Sequence, residues 1–111
     1  MATDFPAEIE RLRHTHASIE AVTDPQALRA RIAELSEQAA APDLWDDPDA
    51  AQVVTSNLSH AQADLKRVED LGSRIDDLEA MVEMAGEEEG DDAAELLAEA
   101  ESDLASISKD L

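Results

Sequence analysis

Residues Asp49 to Ala85 carry an apolar repeat that only a long helix with partners can satisfy. Val54, Leu58, Ala61, Leu65, Val68, Leu71, Ile75, Leu78, Val82 and Ala85 follow one another at steps of 4, 3, 4, 3, 3, 4, 3, 4 and 3. That is a heptad seam, not the two-residue alternation of a strand. The consecutive threes around Val68 are a stammer, which overwinds a helix locally. Asp47 and Pro48 stand where an N-cap and a first helical residue belong, with Asp49 in the first turn. At 1.5 Å per residue, about 37 residues span roughly 55 Å, more than one compact domain can wrap. Gly72 is the weak point, costing roughly 1 kcal/mol against Ala, which permits a bend there. A seam this narrow needs other helices along its length.

The rest of the chain supplies them. Phe5, Ile9, Leu12, His16, Ile19 and Val22 fall on one face of a helix expected over residues 6–22, led in by Asp4 or Phe5. Thr23-Asp24-Pro25 reads as a stop and a restart, with Asp24 as cap and Pro25 in the next first turn. The second helix, 25–41, presents Leu28, Ile32, Leu35 and Ala39. Two prolines, Pro42 and Pro48, then bracket the only tryptophan, Trp45. A Trp in such a turn is expected to fold over the end of the bundle and bury about 200 Å². The long helix is assigned 48–85. Gly86-Glu87-Glu88-Glu89-Gly90 breaks the pattern, and Asp91 or Asp92 can cap a last helix, 92–111, with the seam Ala93, Leu97, Ala100, Leu104, Ile107 and Leu111. The sequence stops within that apolar pattern with no helix stop signal, so the natural chain is expected to continue.

The expected fold is therefore all-α: an antiparallel helical bundle or coiled-coil hairpin of about four helices built around one long helix. Short turns place the second helix against the first half of the long one and the last helix against its second half. The first helix is expected to pack on the second, as a third member at that end.

Composition narrows the function. Two aromatic residues in 111, Phe5 and Trp45, leave an aliphatic, alanine-rich core. With no cysteine, disulfides, thiolate catalysis and cysteine-based zinc sites are excluded. No apolar run approaches a membrane span. Met1-Ala2-Thr3-Asp4 lacks the basic and apolar regions of a signal peptide, so a cytoplasmic protein is expected. The net charge of −20 opposes direct docking on a phosphate backbone and suits either a solvated helix exterior or a basic protein partner. From Asp64 onward, 17 carboxylates face Lys66, Arg67, Arg74 and Lys109; residues 1–63 carry 11 against Arg11, Arg13, Arg29 and Arg31. Those four arginines are the candidate partner contacts, each with a solvated i,i+4 ion pair as its plainer alternative.

Nothing in the pattern carries catalysis, and no catalytic, cofactor-binding or metal-ligating residue is assigned. His14 and His16 point about 200° apart on a helix and cannot share a metal. His16 belongs to the edge of the core and His14 to the surface. Glu87–Asp92 lacks the alternating acidic-and-glycine loop of a calcium site. Gly72, Gly86 and Gly90 make no phosphate-binding loop. The chain is not expected to be an enzyme by itself, nor to bind a small-molecule substrate.

Read as a string, Leu28–Pro48 (LRARIAELSEQAAAPDLWDDP) resembles the N-terminal domain of bacterial class I peptide chain release factors, in their release factor 2 branch. The most specific part is Pro42-Asp43-Leu44-Trp45-Asp46-Asp47, similar to that family's proline–aspartate–apolar–Trp turn between the second and third helices. The likeness continues through Ala50–Leu71 (AAQVVTSNLSHAQADLKRVEDL) and the Glu87–Asp92 loop, while Phe5–Val22 fits the actinobacterial form more loosely.

The resemblance implies a protein that enters the ribosome at a UGA or UAA codon and triggers release of the finished peptide. The family's Ser-Pro-Phe codon-reading and Gly-Gly-Gln peptide-release motifs belong to later domains. This sequence contains no Gly-Gly and no Ser-Pro. The implied role is docking and positioning, with the ribosomal stalk base and the class II release-factor GTPase as implied partners, and RNA contact at most minor. Two other classes compete. One is a small secreted helical hairpin of the WxG type, from which this chain departs because Asp46-Asp47 follow Trp45. The other is an acidic mimic of nucleic acid.

Overall fold

The computed structural model describes residues 3–111; Met1 and Ala2, the start of the segment read for a leader, lie outside the described residues. The chain is all-α, with four α-helices joined by short turns and, among the described residues, no strand. The helices are α1 (Phe5–Thr23), α2 (Pro25–Ala40), α3 (Pro48–Glu87) and α4 (Asp91–Asp110), with a 3-10 turn over Pro42–Asp46 between α2 and α3.

Caps set most of these boundaries. Asp4 accepts from the Ala7 amide at 3.2 Å, Asp24 from Ala27 at 3.2 Å and Asp47 from Ala50 at 3.3 Å, each satisfying one orphan amide of a first turn. Asp24 does so in the left-handed region, at φ 53 and ψ 80. That single residue ends α1 and starts α2, and an aspartate tolerates the conformation better than most side chains. At α4 the expected aspartate cap is replaced. Gly90 is the N-cap, at φ 69 and ψ −136, with no side-chain bond, and Asp91 and Asp92 sit in the first turn, where carboxylates favour the positive end of the helix dipole. Only glycine takes that backbone geometry without strain, so α3 runs on through Gly86 to Glu87 and the chain reverses in three residues.

The helices divide into two compact units, one holding the chain up to Ile19 with Glu69–Leu111, the other Glu20–Val68. In the first unit, Phe5, Ile9, Leu12, Ile75, Leu78, Ala100, Leu104 and Ile107 form one buried cluster, with Met81, Val82 and Leu111 packed against it. The register follows from the polar contacts around it. Arg13 meets Asp76 and Glu79, and His16 lies beside Gly72, so α1 runs antiparallel to this part of α3. Arg74 meets Ser106 and Asp110, and only three residues separate the end of α3 from the start of α4, so α4 is antiparallel to it as well. Thr3 donates to Glu101 at 2.6 Å and Arg11 to Ser108 at 2.9 Å, which makes α1 and α4 parallel.

This corrects the expected place of the first helix. Its large apolar residues share a core with the second part of α3 and with α4, instead of forming a third member beside α2. Two causes combine. Phe5, Ile9 and Leu12 add bulk to a seam whose other members include small Ala100, and Arg11 and Arg13 bring cations to the most acidic stretch of the chain. Proximity in sequence favoured α2, and packing with charge overrode it. Val22 is also not in the seam. It is 88% exposed, and at 100° per residue it lies about 80° round the helix from Leu12. Leu97 is exposed as well, since α1 begins only opposite Glu101 and leaves the preceding turn of α4 without a third helix among the described residues.

In the second unit, Leu35, Ala51, Ala61 and Val68 are buried, with Leu28, Ile32, Ala39, Val54, Leu58 and Leu65 partly so. All ten seam positions of α3 are buried or half-buried in one unit or the other. No helix is long and apolar enough to cross a membrane among the described residues.

Candidate functional site

Four arginines and one tryptophan are the side chains with something to offer a partner. Arg11 and Arg13 stand two apart on α1 and therefore reach different neighbours. Arg11 Nη2 donates to Glu8 Oε2 at 2.9 Å, one turn back, and to Ser108 Oγ on α4 at 2.9 Å. Arg13 turns to α3, with Nη1 to Asp76 at 3.0 Å and Nη2 to Glu79 at 3.2 Å. The hydrogen bond that Arg13 donates to Asp76 raises the Arg13 pKa, partial desolvation opposes it, and Glu79 adds to the rise. Both arginines are about half exposed, so each could still face a partner while clamping its own unit.

Arg29 and Arg31 lie on α2 in the second unit, both exposed, and they flank the seam residues Leu28 and Ile32 from opposite sides. The four arginines thus belong to two units, and neither unit gathers all of them. Arg74, which the sequence offered only as a count against the acidic half, makes an ion pair of 2.7 Å with Asp110 and bonds Ser106 at 3.0 Å.

Trp45 differs from its expected place. It is 60% exposed, not folded over the end of the helices. The 3-10 turn explains this. Adjacent residues there project about 120° apart, and the half-buried Leu44 takes the inward direction. The indole Nε1 donates to the Ala39 carbonyl at 3.1 Å, satisfying one of the orphan carbonyls at the C-terminal end of α2. Its polar edge is occupied at home and much of its ring faces solvent. Around it Asp43, Asp46, Asp47 and Asp49 are all exposed.

The acidic turn carries Glu87, Glu88 and Glu89, all exposed. Beside it an open recess of about 550 Å³ is lined by Glu88, Asp92, Glu95, Leu96 and Glu99. Among the described residues no group of three or more His, Asp or Glu side chains is placed to hold a metal ion. His16 is half-buried against Gly72 and His14 is exposed, as their helical positions predict.

Comparison with known proteins identifies what these surfaces belong to. The PCRF domain matches residues 28–111. Peptide chain release factor 2 of Beutenbergia cavernae is 68% identical over 107 residues, 96% of this chain and 28% of that protein. The protein of the same name from Streptomyces avermitilis is 54% identical over 97% of this chain and 28% of its own length, and that from Kineococcus radiotolerans is 53% identical over 100% and 29%. The chain spans under a third of the length of these curated relatives. No solved structure matches it. With the PCRF domain aligned from the second helix to the last residue, and release factor 2 proteins aligned along nearly all of it, the chain belongs to the peptide chain release factor family.

Proposed function

We propose that this chain is a ribosome-docking and positioning domain of a cytoplasmic translation termination factor of the release factor 2 type. The observation that carries the reading is the alignment with release factor 2 proteins over nearly the whole chain. The sequence adds that the codon-reading and peptide-release tripeptides of the family are not in these residues. The chemistry of termination therefore belongs to other parts of such a factor, and this chain alone neither releases peptide nor discriminates stop codons. The secreted WxG-type reading is set aside by the PCRF match, and the acidic-mimic reading has no observation in its favour beyond net charge.

Docking toward the stalk base, and interplay with the class II release-factor GTPase, are the partner contacts this reading carries. The arginines are its positive groups: Arg29 and Arg31 on an exposed α2 surface, Arg11 and Arg13 with part of their guanidinium surface still open. Direct RNA contact stays minor because 28 carboxylates oppose it. The test places Glu at Arg11, Arg13, Arg29 and Arg31 in a release factor carrying this domain, and separately Gln at Glu87, Glu88 and Glu89. The arginine set should slow ribosome association in a salt-sensitive way while the acidic set does not. Codon-dependent peptide release by the 111-residue chain alone, or slowing by the acidic set only, would overturn the proposal.

A further inference from the structure

Trp45 is the largest side chain in the molecule and stands 60% exposed. It is not loosely held there, since its Nε1 bond to the Ala39 carbonyl ties the ring to the end of α2. With the N–H occupied, what the indole presents outward is apolar and π surface, so a partner meets it by stacking or through a cation. The charge around it decides which. Asp43, Asp46, Asp47 and Asp49 lie within four residues of Trp45, and no Lys or Arg occurs between Arg31 and Lys66. Asp47 is committed to capping α3 through Ala50, which leaves Asp43, Asp46 and Asp49 exposed, with no ion pair to a described residue. The other unit is different, because its Arg11, Arg13 and Arg74 are already set against Glu8, Asp76, Glu79 and Asp110.

From this we infer that the Trp45 turn is a docking surface for an arginine-bearing protein segment. A guanidinium lies on the indole face and its flanking donors reach the Asp43 and Asp46 carboxylates. Arginine suits the site better than lysine, because its planar group stacks and bonds carboxylates at once. A nucleic acid backbone is repelled by the same carboxylates, and so is a second copy of a chain carrying −20. The inference deepens the docking reading above and rests on it only for where the partner is met.

The chain has one Trp and no Tyr, so its intrinsic emission reports this turn alone. The experiment titrates the 111-residue chain with acetylated tetra-arginine amide, following Trp45 emission and, in parallel, calorimetry. Saturable change in emission is expected. Asp43→Asn with Asp46→Asn should weaken binding about threefold or more, with Asp47 left in place so that the cap survives. Trp45→Ala should weaken it by a similar factor in calorimetry, and tetra-lysine should bind less tightly. Glu87→Gln, Glu88→Gln and Glu89→Gln together should leave the Trp45-reported affinity within about twofold, because exposed charges outside the turn are screened. Circular dichroism melts identify variants that keep their helices, and only those are compared. Four results would overturn the inference: peptide binding that leaves Trp45 emission unchanged, equal weakening by the Glu87–Glu89 set, a larger response to single-stranded oligo-uridine than to the peptide, or emission that shifts with protein concentration alone. No ribosome is present in this titration, so its failure is separate from failure of the docking reading.

Discussion

A Cβ built on Gly72 would stand 3.0 Å from Cε1 of His16 and 3.3 Å from its Nε2. The glycine is therefore not simply a weak point in α3. It is the position where the helix is thin enough for the imidazole of α1 to lie against it. Gly72→Ala gains about 1 kcal/mol of helix propensity but pushes the ring aside, so the single change should alter stability by less than about 0.5 kcal/mol. In a His16→Ala background the same change should stabilise by about 1 kcal/mol. Denaturant unfolding of the four proteins measures the coupling, and strict additivity would refute the contact.

Trp45 and Leu12 should respond very differently to truncation. Leu12 is fully buried in the first unit's core, and Leu12→Ala should cost about 2–5 kcal/mol. Trp45→Ala removes a mostly exposed ring and one hydrogen bond, for about 1 kcal/mol. Helix melting by circular dichroism checks both. A Trp45 loss as large as the Leu12 loss would mean that the ring is buried in solution.

Arg13 sits between Asp76 and Glu79 with much of its surface in water. Exposed pairs of this kind contribute about 0.2–1 kcal/mol, so Arg13→Gln should cost less than about 1 kcal/mol. The loss should shrink in 1 M salt, where the screening length is about 3 Å. A double-mutant cycle with Asp76→Asn separates this pair from the rest, and a salt-independent coupling would contradict its exposure.

Asp24 does two jobs in one residue, capping α2 and holding a left-handed backbone. Asp24→Ala loses the cap and strains the backbone, for about 1–3 kcal/mol in total. Asp24→Asn keeps both functions and should lie within about 0.5 kcal/mol of the parent. If thermal melts rank Ala and Asn together, the left-handed cap is not what joins these helices.

The parts of the fold that were legible in the sequence are those set by local rules. The α3 seam from Val54 to Ala85 shows in its spacing, and Asp4, Asp24 and Asp47 announce their helices because capping involves residues three apart. The misses were relations across distance or direction. Nothing local to α1 says that Arg13 answers Asp76, 63 residues later. Nothing in the composition of the Pro42–Pro48 turn says whether Leu44 or Trp45 points inward, which a 120° step decides. The aspartates after Gly90 fit a cap by type, yet the backbone needed a positive φ and put the glycine there. Of the candidate contacts, the sequence identified the cations and could not tell that Arg11 and Arg13 already hold other helices.

The parallel pairing of α1 with α4 also bears on how the chain is made. Phe5, Ile9 and Leu12 are translated before the rest of their core, and its last members, Leu104 and Ile107, arrive about 95–100 residues later. At about 5–20 residues per second that is a delay on the order of 5–20 s, during which α1 lacks the α4 part of its core. The α3–α4 turn needs only three residues to close, so loop entropy favours it over the far longer closure that α1 requires. Of the three helices that share this core, α1 is thus made before the others and docks last, and nascent chains arrested before Ile107 emerges should leave the Phe5 segment open to proteolysis.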